Sequence, residues 1–153
     1  MGFRVVAAAT TISIAPGRAL AHRPPGCEAA NRRDFDVLFL GLDPAIDFEL
    51  PESLVGRYVP PDLVGVHHGH DGYLRMWQGL LEAWEDLQLK PEEAIDLGDQ
   101  LLVAGRITGH GKLSGVALDD PLFQVFELRQ GLVIRQKDFA DRDQALEAAG
   151  LLE

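Results

Sequence analysis

Residues 100–140 read QLLVAGRITGHGKLSGVALDDPLFQVFELRQGLVIRQKDFA, and this stretch decides the fold. Apolar residues alternate with polar ones along most of it, which is typical of strands that bury one face. The alternation predicts three strands, at Gln100–Gly109, Gly115–Arg129 and Leu132–Ala140. Turn residues lie between them at His110-Gly111 and Gln130-Gly131. Since tight turns join consecutive strands, we expect an antiparallel meander.

Three helices and two further strands are predicted around this meander. The helices are expected at Phe35–Leu42, Asp71–Leu87 and Asp141–Gly150, and the strands at Ala45–Leu50 and Ala94–Leu97. Asn31 or Asp34 supplies the N-cap of the first helix, and Asp141 supplies that of the last. Helices that precede a long meander favour an α+β fold, in which a curved sheet wraps around helices packed on one face.

The long helix carries an apolar stripe. Leu74, Trp77, Leu81 and Trp84 recur at spacings of three and four residues, so they lie on one side of the predicted helix. Two interpretations of the tryptophans stay open. They belong to the core, as aromatic residues at helical spacing usually do, or they line a ligand cavity.

The composition is that of an acidic chain with an ordinary core. Its 153 residues include 24 acidic and 14 basic side chains, for a net charge of −10, and 46% are hydrophobic. A chain of this length buries roughly 70% of its unfolded surface, which favours a single domain. Without a basic patch, nucleic acid and anionic membranes are not expected partners. Cys27 is the single cysteine, which excludes an internal disulfide framework. The composition predicts a cytoplasmic protein.

Residues 1–27 are interpreted as a poorly defined segment ahead of a domain at 28–153. Arg4, the apolar run after it and Ala19-Leu20-Ala21 have the outline of a secretory signal. Pro16-Gly17 interrupts that outline. A tail, a signal-like stretch and a start codon placed too far upstream all remain open, and secretion is the alternative to a cytoplasmic location.

Five short motifs stand out in order along the chain. They are NRRDFD at 31–36, LDPAIDF at 42–48, HGHDG at 68–72, GDQLLV at 98–103 and RQGLV at 129–133. Their order and spacing resemble the NTF2-like superfamily, most closely its SnoaL-like polyketide cyclase branch. This superfamily includes isomerases, cyclases, dehydratases, hydrolases and noncatalytic binding modules, so the fold alone selects no activity.

The resemblance implies a cone, in which a strongly curved and mostly antiparallel sheet encloses an apolar pocket together with the helices. Enzymes of this type remove a proton next to a carbonyl and stabilise the enolate, without a cofactor. Such chemistry needs a carboxylate base above an apolar ligand and a hydrogen-bond donor where negative charge develops. Family members begin with a long helix, and Pro16, Pro24 and Pro25 fall where that helix would run. If the helix is shortened, one wall of the pocket is expected to be thin or open.

Asp138 is the first catalytic candidate, because it matches the acid/base aspartate of the SnoaL-like cyclases. Strand alternation places it on one face with Ile134 and Gln136. Burial on an inward face would raise its pKa toward the useful range. A structural role, as a partner of Arg142 or of the following turn, stays open.

Gln124 is the second candidate, since it places an amide on the apolar face of Leu122, Phe126 and Leu128. It matches the pocket histidine of the cyclases. A glutamine donates a hydrogen bond to an enolate oxygen but cannot transfer a proton, so Asp138 would carry all proton transfer. A buried amide satisfied by the neighbouring backbone is the alternative.

Several other side chains are expected to contact a ligand. They are Trp77, Trp84, Phe126, Tyr58 and His67. The histidines do not predict a metal site, because alternation sends His67 and His68 to opposite faces and His70 begins a helix. The base of the ketosteroid isomerases would fall near Phe48, which cannot abstract a proton.

Two functions remain open at this point. The first is a cyclase, isomerase or dehydratase that uses Asp138 on an apolar carbonyl compound. The second is a noncatalytic module that binds a hydrophobic ligand or a protein partner. Family members dimerise through the outer sheet face, which is predicted here to include Val103, Val125 and Val133, so a homodimer is expected.

Overall fold

The computed structural model describes residues 4–7 and 26–151, and the elements named here are those of that part of the chain. The strands are β1 (Arg4–Ala7), β2 (Leu42–Leu50), β3 (Gly65–His68), β4 (Trp84–Asp96), β5 (Gln100–Gly111), β6 (Ala117–Arg129) and β7 (Leu132–Phe139). The helices are α1 (Cys27–Asn31), α2 (Phe35–Leu40), α3 (Gly69–Ala83) and α4 (Arg142–Ala148). Two single-turn helices, Glu52–Leu54 and Pro61–Leu63, lie between β2 and β3.

The strands form one sheet in the order β1-β4-β5-β6-β7-β2-β3. The pairs β1–β4 and β2–β7 are parallel, and the other neighbouring pairs are antiparallel. The two outer strands of this order do not pair with each other, so the sheet is unclosed within the described residues. The predicted α+β fold and the meander that ends in β7 are confirmed.

Register shifts bend the sheet. Strands β4 and β5 shift register between Pro91 and Glu93, and β6 and β7 shift between Glu127 and Leu128. An extra residue on one strand bends that strand and increases its twist. The concave side covers the main core, in which Ile46, Leu50 and Leu87 are fully buried.

Helix α3 forms the central helical wall, but it is shorter than the sequence pattern predicts. It begins at Gly69 and ends at Ala83, because Trp84 adopts an extended backbone conformation and starts β4. Its large buried side chains are Tyr73, Met76, Trp77 and Leu80. The predicted stripe is confirmed at Trp77, which is buried. Leu81 and Trp84 are partly buried and pack against the same core, although Trp84 lies in β4, and Leu74 is also partly buried.

Helix α4 covers part of the outer sheet face. The Asp141 carboxylate caps it by accepting hydrogen bonds from the backbone N–H groups of Asp143 and Gln144, as predicted. Ala145 of this helix packs in a second apolar cluster with Ile95, Leu102, Val125 and Phe139. Helix α4 thus buries part of the outer face of the chain's own sheet.

The predicted position on the outer sheet face is wrong for Val103 and Val133 and right for Val125. Val103 and Val133 lie in the main core, with 2% and 0% of their surface exposed. Val103 pairs with Gln124, and directly paired residues share a sheet face, so both point inward. The register shift after Glu127 turns Val133 inward as well. Val125 does lie on the outer side, but it is 9% exposed in the cluster with Ala145 of α4.

The turn after α1 ties the helices to β4. Asp34 caps α2 by accepting a hydrogen bond from the Val37 N–H at 3.3 Å. Asn31, the other predicted cap, instead holds Leu89 of β4 by both backbone groups. Its Nδ2 donates to the Leu89 carbonyl at 2.9 Å, and its Oδ1 accepts from the Leu89 N–H at 2.8 Å.

Replacing Asn31 is expected to weaken this attachment. Asn31→Ala leaves both Leu89 groups without their partner and should lower the free energy of unfolding by about 2 kcal/mol. Asn31→Asp keeps the acceptor and loses the donor. Its free energy of unfolding should therefore lie between those of the parent and Asn31→Ala. Urea unfolding measures the difference, and an unchanged midpoint in Asn31→Ala would contradict the assigned role.

The signal-like stretch and the proline-rich region of the expected first helix lie outside the described residues, apart from Arg4–Ala7. The backbone of that short segment forms β1 and pairs with Glu93–Asp96 of β4. None of the helices in the described part of the chain is long and apolar enough to cross a bilayer.

Candidate active site

Asp138 lies near the end of β7, on the concave side of the sheet. Its direct cross-strand partner on β6 is Gln124, and Phe126 pairs with Gln136 in the same way. Asp138, Gln124 and Gln136 are 4%, 5% and 2% exposed. The two strands therefore bring three polar side chains together inside an otherwise apolar face.

Three neutral groups donate hydrogen bonds to the Asp138 carboxylate. The Tyr58 hydroxyl donates to Oδ2 at 3.2 Å. The Gln124 and Gln136 Nε2 groups donate to Oδ1 at 3.2 and 3.3 Å. The Tyr73 hydroxyl donates to Gln136 Oε1 at 3.0 Å, which fixes the orientation of that amide. The carboxylate is held in place by groups that carry no charge.

Burial raises the pKa of Asp138 to about 6, and the hydrogen bonds from Gln136, Gln124 and Tyr58 oppose part of that rise. Within residues 26–151, no basic side chain forms an ion pair with this carboxylate. Arg142, its alternative partner from the sequence, pairs with Glu93 at 3.5 Å instead. The carboxyl group can therefore exchange a proton near neutral pH.

Asp138 lies beside an internal cavity between the helices and the inner sheet face. The lining is mainly apolar and includes Leu38, Phe48, Met76, Trp77, Leu80, Leu89, Ile107 and Phe126. The cavity leaves about 20 Å³ for the centres of water-sized molecules, which is room for about one or two waters. A carboxylate next to an apolar cavity is the arrangement that acid/base chemistry on a carbonyl compound requires.

The structure places three of the five expected ligand contacts in the cavity lining, namely Tyr58, Trp77 and Phe126. Trp84 and His67 do not line it. The Trp84 indole N–H donates to the Tyr58 carbonyl at 2.8 Å, because Trp84 starts β4 instead of continuing α3. The His67 ring nitrogen Nε2 lies 2.7 Å from the Leu63 carbonyl and is used there.

His68 and His70 make separate local contacts. His68 Nδ1 lies 2.7 Å from Asp47 Oδ1 at the surface. His70 Nε2 lies 2.9 Å from the Leu42 carbonyl, and its ring stacks on Phe39. Among the described residues, no three His, Cys, Asp or Glu side chains are arranged to hold a metal ion.

Sequence reasoning assigned no role to Gln136 or Cys27, and it offered Tyr73 as a possible hydrogen-bond donor without a spacing argument to support it. Gln136 had a usable signal, since it alternates with Asp138 on one strand face. Tyr73 had none, because its partner Gln136 lies 63 residues away. Cys27 is buried at the start of α1, where burial and the charge of Asp138 raise its pKa to about 12. Its thiol stays protonated and is a poor nucleophile.

Ile134 does not share the inward face with Asp138 as the alternation predicts. The register shift between β6 and β7 pairs Val133 with Leu128 and Arg135 with Glu127, so strict alternation fails between them. Val133 enters the core, while Ile134 is only partly buried. Apolar contact near the carboxylate comes instead from the cavity lining.

Comparison with known proteins agrees with this fold. A SnoaL-like domain is recognised over residues 27–136. An NTF2-like protein of unknown function from Burkholderia pseudomallei superposes with a TM-score of 0.69 at 20% identity, covering 88% of this chain and 97% of that one. TerC, co-crystallised with polyporic acid, superposes with a TM-score of 0.68 at 22% identity, covering 90% of this chain and 98% of that one.

IdmH, a candidate polyketide cyclase from Streptomyces antibioticus, superposes with a TM-score of 0.64 at 16% identity, covering 90% of this chain and 99% of that one. No curated protein sequence matches the chain. At these identities the solved structures establish the NTF2-like fold, and the domain match spans well over half of the sequence. The chain belongs to the SnoaL-like family.

Proposed function

We propose that this chain is an enzyme that removes and returns a proton next to the carbonyl group of an apolar compound, with Asp138 as the acid/base group. The observation that carries the proposal is a buried carboxylate beside an apolar cavity, held by three neutral donors and paired with no cation in the described residues. A carboxylate that served only as an ion-pair partner would not need this environment.

The first step is an enolisation. A carboxylate oxygen of Asp138 takes the proton from the carbon next to the carbonyl, and the C–H electron pair forms the C=C bond. The carbonyl π electrons move onto oxygen and give an enolate. Return of the proton from Asp138 to another carbon gives an isomer. Alternatively, the enolate carbon attacks a second carbonyl and closes a ring, and the alkoxide formed on that carbonyl oxygen takes the proton back from Asp138. One first step therefore serves isomerisation and cyclisation.

The hydrogen bonds select the oxygen that reacts. Each carboxylate oxygen accepts about two hydrogen bonds. Oδ1 already accepts from Gln124 and Gln136, whereas Oδ2 accepts only from Tyr58 among the described groups. Oδ2 therefore has an open position for the substrate proton, and the two glutamines position the carboxylate.

A noncatalytic role, as a module that binds a hydrophobic ligand or a protein partner, is the second candidate function. It is favoured by the size of the cavity, since about 20 Å³ for water-sized centres is far less than a carbonyl compound with a ring requires. A substrate would have to displace side chains on entry. Under this alternative the cavity stays closed to small molecules, or binds them with no proton exchange.

The pKa of Asp138 tests the proposal directly. A carboxyl-carbon NMR titration is expected to show a midpoint of about 6, above the ordinary 3.8, because burial disfavours the charged form. Asp138→Asn removes that signal and so assigns it. A midpoint at or below the ordinary value would mean that water or a cation stabilises the carboxylate, and the proposal would fail.

A further inference from the structure

The Trp77 indole lacks a hydrogen-bond partner. Trp77 is 4% exposed and lines the cavity. Among the described residues, its Nε1 is the one buried side-chain nitrogen or oxygen without a partner. It lies close enough to the Tyr73 hydroxyl to favour ionisation of that group, yet it makes no hydrogen bond of normal geometry to it. A buried donor left this way is rare in native proteins, and an unplaced ligand group is one explanation for it.

The other polar groups at this end of the cavity have partners. The hydroxyls of Tyr58 and Tyr73 donate to Asp138 and Gln136, and both glutamine amides donate to Asp138. Each glutamine Nε2 also keeps a second N–H, but both amides are held by their bond to Asp138. Among the described buried side-chain groups, the Trp77 N–H is the donor with no partner in the protein. An indole N–H donates and cannot accept, so it selects for an acceptor atom.

A cation lies against the same indole. The Arg33 guanidinium carbon lies 5.8 Å from the centre of the Trp77 ring. Arg33 is fixed there by donating to the Ala30 carbonyl at 2.8 Å and to the Leu87 carbonyl at 2.6 Å. Positive charge over the ring face draws electron density from the indole, which makes its N–H a stronger donor.

We propose that the Trp77 N–H binds the carbonyl oxygen of the ligand and stabilises the negative charge that develops on it, with Arg33 as a positioning residue behind the ring. This inference rests on the proposed enolisation, and it adds the hydrogen-bond donor for the enolate oxygen to the base Asp138. The ligand class follows, namely an apolar molecule with one acceptor oxygen at the end that meets Trp77. A hydrocarbon of the same shape lacks that contact.

The test compares phenol, whose oxygen resembles that of an enol, with toluene, which has nearly the same shape and no oxygen. The chain contains two tryptophans, so proton–nitrogen NMR resolves two indole N–H groups, and Trp84 serves as the internal control. Saturating phenol is expected to move the Trp77 proton signal downfield and leave that of Trp84 in place. Toluene should cause no comparable downfield shift.

Trp77→Phe keeps an aromatic ring and removes the donor. It is expected to weaken phenol binding by about tenfold, the value of one hydrogen bond, and to change toluene binding by less than about twofold. The inference is overturned if phenol does not bind, if the Trp77 signal does not move on saturation, or if the variant binds phenol like the parent.

The two proposals fail differently. If the Trp77 signal responds to phenol while Asp138 titrates at its ordinary pKa, the donor stands and the proposed enolisation falls. If Asp138 titrates at about 6 and ketones exchange protons while Trp77 is unmoved, the enolisation stands and the Trp77 assignment falls.

Discussion

Asp138→Asn is expected to lower the rate of hydrogen–deuterium exchange next to the carbonyl of a cyclic ketone by about 10²–10⁴-fold, the usual contribution of a positioned general base. An asparagine amide has no lone pair basic enough to take the proton. Proton NMR of cyclohexanone and tetralone in heavy water measures the exchange without knowledge of the natural substrate. In the parent, the rate should rise with pH and level off above about 6, as Asp138 ionises.

Two comparisons make this result specific. Asp119→Asn is a matched control, because Asp119 is an exposed aspartate that pairs with Arg106 away from the cavity. It should exchange ketone protons like the parent. Ketone affinity should change little in Asp138→Asn, so the loss should fall on the rate constant and not on KM. Equal exchange by the parent and Asp138→Asn would mean that the cavity binds ligands without chemistry.

The antiparallel order of β5, β6 and β7 could be predicted from the chain because local signals agree with one another there. The parallel pairing of β2 with β7 could not. The hairpin between β6 and β7 is the clearest case. Gln130 and Gly131 both adopt positive φ angles, 51° and 80°, as the two central residues of a type I′ hairpin turn require. Away from the register shift, the alternation on either side of the turn then predicts which residues face the core, and Gln124 and Asp138 follow as inward polar residues.

The boundary between α3 and β4 could not be predicted, because local signals conflict with the tertiary structure. Trp84 continues a helical spacing, yet it begins a strand. Pro91 reads as a strand breaker, yet it lies inside β4 at the register shift with β5, where a bulge tolerates a missing N–H. The sheet extends through both positions because pairing with β5 outweighs the local preferences.

The candidate site was predictable only in the part that lies on neighbouring strands. Gln124 and Asp138 are 14 residues apart and paired through one hairpin, so alternation brings them together. Tyr58 reaches Asp138 from 80 residues away. No spacing rule relates residues at that distance. The register shift after Glu127 is also invisible in the sequence, and it reverses the faces expected for Val133 and Ile134.

The same substitution, Asp138→Asn, is expected to raise the free energy of unfolding above pH 6, by about 3 kcal/mol relative to the parent. In the parent, folding raises the pKa of Asp138 from 3.8 to about 6. The folded state therefore binds the Asp138 proton more tightly than the unfolded state does. The stability that this provides is complete below about pH 4 and is lost as the pH rises through about 6. At neutral pH the folded chain holds a buried charge that a neutral amide avoids.

The geometry lets asparagine take the place of the carboxylate without losing hydrogen bonds. Its Oδ1 accepts from the two glutamine amides, and its Nδ2 donates to the Tyr58 oxygen. Tyr58, which donates in the parent, would then accept. Urea unfolding from pH 4 to 8 should show parent stability falling relative to Asp138→Asn across this range, while Asp119→Asn follows the parent. A variant less stable than the parent at pH 8 would show that the ionised carboxylate contributes to the fold. A more stable but inactive variant would show that the buried charge is retained for chemistry at a cost in stability.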